Sequence, residues 1–224
     1  MKFFDILVQT FPTFTKAMLQ TVEVTILSLF FATILGVVFC LFKMSKFKPL
    51  QWIANVYISI IRGTPLMVQM LFIYFGVSMA IRATIVPDFR WNLTVAGIVI
   101  MSLNAGAYMT ELIRGGIEAV DKGQMEAARS LGLSYGQAMK KIIMPQAFRL
   151  MLPSIINQFI ITLKDTSLLS VIALRELTQN TRIIVANNME YFIMYAIVGV
   201  YYWVIVSILS SVAKMIERRT TYGK

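Results

Sequence analysis

Residues 121–145, DKGQMEAARSLGLSYGQAMKKIIMP, are a polar stretch between long apolar segments, and the rest of the chain is arranged around it. Asp121 is followed three residues later by Gln124, a spacing in which both side chains can cap the first turn of a helix. Gly132 is a typical stop signal, because glycine adopts the left-handed backbone conformation that ends many helices. The first half of the stretch therefore predicts one short helix.

The second half of the stretch repeats this pattern. Ser134 and Gln137 have the spacing of a second capping box, and the residues that follow place apolar side chains opposite the basic pair Lys140 and Lys141. Pro145 suits the first turn of the next helix, since it has no backbone N–H to lose there. The stretch as a whole predicts two short helices with a break between them.

Glu126, Ala127 and Ala128 give the first of these helices a face with little side chain. A groove on another protein could approach that face closely while the carboxylate makes a directed polar contact. A docking surface for a cytoplasmic partner is one interpretation. The other is an amphipathic hairpin that lies at the membrane interface without a partner.

The EAA tripeptide at 126–128, with Gly132 and Pro145 after it, resembles the EAA loop of permease subunits in ATP-binding-cassette (ABC) importers. That family usually has leucine before the proline, and this chain has Met144, an apolar residue of similar volume. The resemblance implies that residues 121–145 form a cytoplasmic coupling loop that enters a groove on an ATPase subunit.

The composition indicates a membrane protein. Of the 224 residues, 58% are hydrophobic and only 14% are charged, and the mean hydropathy is +0.72. These values are far too apolar for an ordinary soluble domain. The net charge of +10 does not indicate nucleic acid as a partner, because the basic residues are scattered over short connections and form no single patch.

Several classes of enzyme are excluded by what the sequence lacks. It contains no histidine, which rules out histidine-based acid–base catalysis, a Ser-His-Asp triad and the HExxH zinc motif. It also contains no GxxxxGK[ST] loop, so ATP and Mg²⁺ would have to be bound by a partner ATPase. We expect no metal site and no cofactor in this chain.

Five segments are apolar and long enough to cross a bilayer, since about 20 helical residues span the hydrocarbon core. They cover residues 22–42, 53–81, 93–113, 150–174 and 192–213. Residues 3–16 mix phenylalanines with polar side chains and are expected to lie in the membrane interface. The sequence therefore predicts one all-α membrane domain over residues 1–224.

The distribution of basic residues predicts the orientation. Of the 21 Lys and Arg residues, 13 follow the first, third and fifth spans, and 6 lie in the other connections. Because short basic loops stay in the cytoplasm, the N-terminus is predicted outside and the C-terminus inside. The polar segment 175–190 then lies outside. Tyr201, Tyr202 and Trp203 are expected to be ordinary residues of the fifth span.

Polar residues interrupt the second span at RGTP, residues 62–65, where proline removes a helical hydrogen bond. Gln69 follows one turn later. Arg62 could contribute to a polar path, or it could lie at the cytoplasmic headgroups. The sequence RGTPLMVQ at 62–69 resembles permeases for polar amino acids, a narrower group than the EAA loop defines.

The third span carries Asn104, Tyr108 and Glu111 on one helix face. A carboxylate at this depth costs about 3 kcal/mol on insertion scales, so it is not expected to face lipid. The three side chains could line a translocation path. Alternatively, they hold the helices together, or Glu111 reaches the headgroups near Arg114.

The fourth span is interrupted by Lys164 and Asp165. These charges could form a structural ion pair, or they could lie where a discontinuous helix lines a water-filled cavity. Asn157 and Gln158 precede them by two helical turns and can share a face with them. The sequence LKDTSLLS at 163–170 again resembles the permeases for polar amino acids.

The resemblance implies the permease subunit of a binding-protein-dependent importer for polar amino acids, with a type I ABC importer permease fold, in a prokaryotic inner membrane. It implies as partners a second permease subunit, identical or related, two ATPase subunits and an external solute-binding protein. Candidate residues of the substrate path are Gln69, Asn104, Tyr108, Glu111, Asn157, Gln158, Lys164 and Asp165. Candidate residues for ATPase coupling are Glu126, Ala127, Ala128, Gly132 and Pro145.

The two carboxylates Glu111 and Asp165 make a basic amino acid a reasonable substrate. Two other functions stay open from the residues alone. An ion-coupled secondary transporter could use the same carboxylates as proton or cation sites, although the odd number of spans and the lack of an inverted repeat count against it. A membrane scaffold would use the polar loop only to hold a cytoplasmic partner.

Overall fold

The structure is a computed structural model that describes the backbone of residues 2–221 and the side chains of residues 3–216. Every regular element in that part of the chain is helical. Lys2, Arg218, Arg219 and Lys224, four of the cations in the charge count, lie outside the described side chains.

The first half of the chain contains five α-helices. They are α1 (Lys2–Met44), α2 (Lys48–Gly63), α3 (Leu66–Leu71), α4 (Ser78–Thr84) and α5 (Leu93–Glu118), with a π-helical segment (Phe72–Val77) joining α3 to α4. The second half contains α6 (Lys122–Ser130), α7 (Tyr135–Ala138), a π-helical segment (Met139–Ile143), α8 (Met144–Asp165), a 3₁₀-helix (Thr166–Ile172), α9 (Leu177–Asn188) and α10 (Tyr191–Thr221).

Five helical stretches among the described residues are long and apolar enough to cross a membrane, which confirms the predicted number. They are Phe3–Met44, Leu66–Thr84, Leu93–Glu118, Tyr135–Ile172 and Tyr191–Ile216. Their bounds depart from the prediction at the first, second and fourth spans.

The predicted interfacial segment at residues 3–16 is not a separate element, because α1 is continuous from Lys2 to Met44. Phe14 is fully buried and belongs to an apolar cluster with Leu177 of α9 and Met194 of α10. This packing inside the protein, which the local pattern does not reveal, holds the segment as an extension of the first span.

The predicted second span, 53–81, is divided between two helices. The backbone is extended at Thr64 and at Pro65, so α2 ends at Gly63 and α3 begins at Leu66. Proline disfavours the helical conformation of the residue before it, which explains the break at the predicted position. The membrane-crossing stretch therefore begins later than predicted, after the break.

Pro145 lies in the first turn of α8, as predicted. No gap precedes this helix, because α7, the π-helical segment and α8 follow one another directly. The backbone of Ile143 keeps helical angles (φ −76°, ψ −53°), so the helix runs through the proline. The coupling stretch and the fourth span are thus one continuous helical element.

The central helix of the fold is α5, whose most extensive contact is with α1. Glycines allow this close approach: a Cβ at Gly36 would lie 2.6 Å from Cβ of Met109, and one at Gly106 would lie 2.8 Å from Oη of Tyr57. The hydroxyl of Tyr57 donates a 2.6 Å hydrogen bond to the carbonyl of Leu103. The α5 segment that carries Asn104 is therefore packed closely against α1 and α2.

Candidate functional site

Gln69 lies at the break in the second span and is almost fully buried. Its Nε2 donates to the carbonyl oxygens of Ile61 (2.7 Å) and Thr64 (3.0 Å) and approaches Oγ1 of Thr64 at 2.9 Å. Its Oε1 accepts a 2.9 Å hydrogen bond from Nδ2 of Asn104. Carbonyl groups that a broken helix leaves free must find hydrogen-bond donors at membrane depth. The side-chain amide of Gln69 is the donor for two of them.

Asn104 is likewise buried, so it and Gln69 bond to each other and to the break. Tyr108, one turn further along α5, is 36% exposed, and the guanidinium carbon of Arg62 lies 5.5 Å from the centre of its ring. This distance is within the range of a cation–π contact. The two predicted path residues on this side thus differ: Asn104 is enclosed, and Tyr108 with Arg62 faces outward.

Glu111 is held by two cations. Its Oε1 lies 2.5 Å from Nζ of Lys43 and its Oε2 lies 2.8 Å from Nη2 of Arg114. Arg114 also pairs with Glu118 through Nη1 at 2.5 Å. The cluster joins the end of α1 to α5. The carboxylate of Glu111 is therefore occupied by salt bridges with Lys43 and Arg114 and is not free to receive a substrate in this structure.

Lys164 and Asp165 lie where α8 ends and the 3₁₀-helix begins, so the helix geometry changes at the predicted position while the helical stretch continues to Ile172. Among the described side chains, neither forms a salt bridge, so the predicted ion pair is not present. Both line a cavity of about 520 Å³, together with Ser167, Leu168, Tyr202, Trp203 and Val206.

Tyr202 and Trp203 are therefore more than ordinary span residues, because they form the α10 wall of the cavity that contains Lys164 and Asp165. No signal in the sequence pairs these segments, which are separated by the whole of α9. Asn157 and Gln158 do not line the cavity. Asn157 is exposed, and Gln158 is buried with its Nε2 3.3 Å from Oγ1 of Thr162.

Glu176 is a buried carboxylate that the sequence pattern did not single out. It caps the N-terminus of α9, where its oxygens accept hydrogen bonds from the backbone N–H groups of Thr178 (2.8 Å) and Gln179 (2.6 Å). The hydroxyl of Tyr202 donates a third, at 3.1 Å. Glu176 lies between two membrane-crossing stretches, and its burial raises its pKa to about 7, although these hydrogen bonds oppose the shift.

The coupling stretch has the local structure that its capping residues predict, with one exception. Ser134 and Gln137 form a complete capping box. The side chain of Asp121 accepts from the backbone N–H of Gly123 at 2.7 Å. The expected cap from Gln124 is absent, because its amide oxygen instead lies 3.3 Å from Nε2 of Gln146.

Gly132 ends α6 in the left-handed conformation, with φ +85°. Its N–H bonds to the carbonyl of Arg129, and the N–H of Leu133 bonds to the carbonyl of Ala128. This pair of bonds is a Schellman motif, which satisfies the carbonyls at the end of a helix. The turn leaves Leu131 at its tip with 84% of its surface exposed.

The EAA residues do not all face the same way. Glu126 and Ala127 are exposed, whereas Ala128 is 5% exposed. Ala128 thus packs inside the coupling stretch and is not available on its outer surface, contrary to the expectation that both alanines lie open. Leu131 and Tyr135, which the sequence pattern did not select, add exposed apolar surface near Glu126 in the chain.

No group of three or more Cys, Asp or Glu side chains in the described part of the chain is arranged to hold a metal ion.

The comparisons with known proteins fit a transport function. Residues 28–222 match the family of binding-protein-dependent transport system inner membrane components. The chain belongs to this family.

Two related permeases cover nearly the whole chain. This permease is 37% identical to the arginine transport system permease protein ArtQ of Bacillus subtilis (strain 168), with 96% of each chain aligned. It is 40% identical to the L-cystine transport system permease protein TcyB of the same organism, over 96% of this chain and 90% of that protein.

Solved structures agree with this assignment. The permease matches the crystal structure of an amino acid ABC transporter with histidines with a TM-score of 0.88 and 38% identity, over 95% of this chain and 96% of that one. The MetNI methionine ABC transporter in an inward-facing conformation matches with a TM-score of 0.73 at 16% identity, which shows the fold alone.

The permease is therefore the transmembrane translocation subunit of an amino-acid ABC importer and a multi-pass protein of the inner membrane. It is a transport component and not the ATPase of such a system. Both alternatives from the sequence, an ion-coupled secondary transporter and a scaffold, are excluded by this family membership.

Proposed function

We propose that this permease carries polar amino acids, basic ones in particular, along a path that passes the cavity of Lys164 and Asp165. The observation that carries the proposal is that cavity, in which two adjacent charges lie at the change from α8 to the 3₁₀-helix without a salt-bridge partner among the described residues. Charges inside a membrane domain are costly and are kept where they serve a function.

The chemistry of the cavity suits an amino acid. Asp165 can accept hydrogen bonds from an α-ammonium or from the cationic side chain of a basic amino acid, and Lys164 can pair with the α-carboxylate. The indole and phenol rings of Trp203 and Tyr202 offer apolar surface and a stacking face for the side chain. The relatives ArtQ and TcyB, whose names specify arginine and cystine, support the same class of substrate.

The other candidate path residues divide into two groups by their contacts. Gln69, Asn104 and Gln158 are buried and hydrogen-bonded within the protein, so we assign them to supporting the path. Tyr108 and Asn157 are exposed and are available to a substrate or to a second permease subunit. We assign Glu111 to the support of the path through its salt bridges with Lys43 and Arg114, and not to substrate contact.

The partners follow from the same model of transport. We propose a dimer with an identical or related permease, because five spans are too few to enclose a path alone. Two ATPase subunits, which bind ATP and Mg²⁺, would dock on the cytoplasmic side against Glu126, Ala127, the turn at Gly132 and the exposed Pro145, while Ala128 supports that surface from inside. An external solute-binding protein would deliver the substrate to the side that carries α9.

The substrate assignment is tested with Asp165→Asn in proteoliposomes that contain the permease and its ATPase partner. We expect uptake of radiolabelled arginine to fall at least tenfold, because the variant loses the charge that receives the cation. Asp88→Asn, in the exposed connection between α4 and α5, is the control and should transport normally. Unchanged arginine uptake in Asp165→Asn would contradict a substrate path through this cavity.

The coupling assignment is tested with Glu126→Lys. We expect loss of copurification with the ATPase and loss of ATP-driven uptake, because the exposed carboxylate is replaced by a cation at the docking surface. Asp5→Lys, an equal charge reversal at an exposed site near the start of α1, serves as the control. Full ATPase association in Glu126→Lys would show that the partner docks elsewhere.

A further inference from the structure

Glu176 combines three features that an ordinary helix cap does not need. It is a glutamate at a position where Ser, Thr, Asp and Asn are preferred, it is 0% exposed, and its Oε2 receives two donors from different helices. A shorter side chain would cap α9 equally well. The glutamate, which is one methylene longer than aspartate, also contacts Tyr202 on α10.

Tyr202 connects this carboxylate to the proposed substrate cavity. The residue lines the cavity that contains Lys164 and Asp165, and its hydroxyl lies 3.1 Å from Oε2 of Glu176 and 3.3 Å from Oγ1 of Thr178. This hydrogen bond holds the tyrosine hydroxyl in place, because Glu176 is fully buried and a buried polar group that loses its partner bears the full cost of its desolvation. The position of the ring in the cavity wall is therefore coupled to the start of α9.

We infer that Glu176 is a positioning residue of the importer: through Tyr202 it fixes one wall of the substrate cavity and joins that wall to α9. This inference rests on the proposed function, since it takes the cavity as the substrate site. Glu176 itself does not line the cavity and does not touch the substrate. Its effect on binding must pass through the hydroxyl of Tyr202.

Two substitutions remove this contact from opposite sides. Glu176→Asp keeps a good cap for α9 but is too short to reach Tyr202, and Tyr202→Phe keeps the ring but removes the hydroxyl. Tyr201→Phe is the matched control, because the hydroxyl of Tyr201 is buried without a hydrogen-bond partner among the described residues. Asp165→Asn reports on the cavity itself.

The measurement is direct binding of radiolabelled arginine to the purified permease–ATPase complex, without the binding protein. We expect Glu176→Asp and Tyr202→Phe each to weaken binding by about fivefold, a fraction of what a lost charged hydrogen bond can cost. The double variant should be no weaker than Tyr202→Phe alone, because that substitution already removes the contact with Glu176. Tyr201→Phe should bind as the unmodified protein does.

The outcomes separate this inference from the proposed function. Normal binding in Glu176→Asp and Tyr202→Phe, with binding lost in Asp165→Asn, would overturn the positioning role and leave the cavity as the substrate site. Fully additive losses would also overturn it, since the two residues would then act separately. Normal binding in Asp165→Asn would remove both proposals together. If Glu176→Asp fails to fold, Tyr202→Phe against Tyr201→Phe still decides.

Discussion

Gln69 occupies the break in the second span, and its amide group bonds to the carbonyls of Ile61 and Thr64 on one side and to Asn104 on the other. Gln69→Leu keeps the side-chain volume but leaves these buried groups without partners. We expect a loss of about 3 kcal/mol in the free energy of unfolding, within the range for unsatisfied buried polar groups. Denaturant titration in detergent measures it, and an unchanged midpoint would show that water replaces the amide.

Glu176 should make the stability of the protein depend on pH. Burial raises its pKa to about 7 from an ordinary value of 4.5, so between these values the folded protein binds a proton that the unfolded chain does not. By linkage, its contribution to stability is complete below pH 4.5 and is lost as the pH rises to 7.

The matching experiment compares melting temperatures of the unmodified permease and Glu176→Gln from pH 5 to pH 8. Because the variant does not titrate at this position, the unmodified protein should lose stability relative to it up to about pH 7. Asp5→Asn, at an exposed carboxylate, is the control substitution. A constant difference between the two proteins across this range would show that Glu176 keeps one protonation state.

At the scale of helices, the sequence predicts the breaks, caps and turns that depend on residues adjacent in the chain. The break before Leu66, the capping box at Ser134 and the turn at Gly132 each depend on a few adjacent residues, and each lies where it was predicted. The continuity of α1 through Phe14 does not follow from local pattern, because it depends on packing against α9 and α10, which are distant in the chain.

Two adjacent glycines of α5 test that packing. A Cβ at Gly116 would lie 2.8 Å from Cβ of Met151 and 3.2 Å from the carbonyl oxygen of Ala147, whereas one at Gly115 would meet nothing within 4 Å. We expect Gly116→Ala to destabilise the protein by about 1–3 kcal/mol, because α5 and α8 must separate. Gly115→Ala should be neutral or gain up to about 1 kcal/mol from helix propensity. Equal melting temperatures for the two variants would contradict this contact.

For the whole molecule, the sequence singles out the two charged residues of the proposed substrate cavity but not the residues around them. Lys164 and Asp165 stand out because charges are rare in apolar spans. Tyr202, Trp203 and Glu176 do not, since aromatic residues are common in spans and a glutamate in a polar connection is unremarkable. Only the folded arrangement of α8, α9 and α10 brings these residues to one cavity and its wall.

The orientation of the protein in the membrane is a prediction that involves all five spans. Five spans place the two ends of the chain on opposite sides, and the excess of Lys and Arg after the first, third and fifth spans predicts that those connections are cytoplasmic.

In a Cys40→Ser background, Asp88→Cys should react with a membrane-impermeant maleimide in spheroplasts, because its connection is predicted to lie outside. Lys140→Cys, in the coupling stretch, should react only after the membrane is opened, since the ATPase must reach it from inside. Both sites are exposed in the fold, so the membrane alone decides the difference. The reverse labelling pattern would place the coupling stretch outside, away from any source of ATP, and would contradict both the orientation and the docking surface.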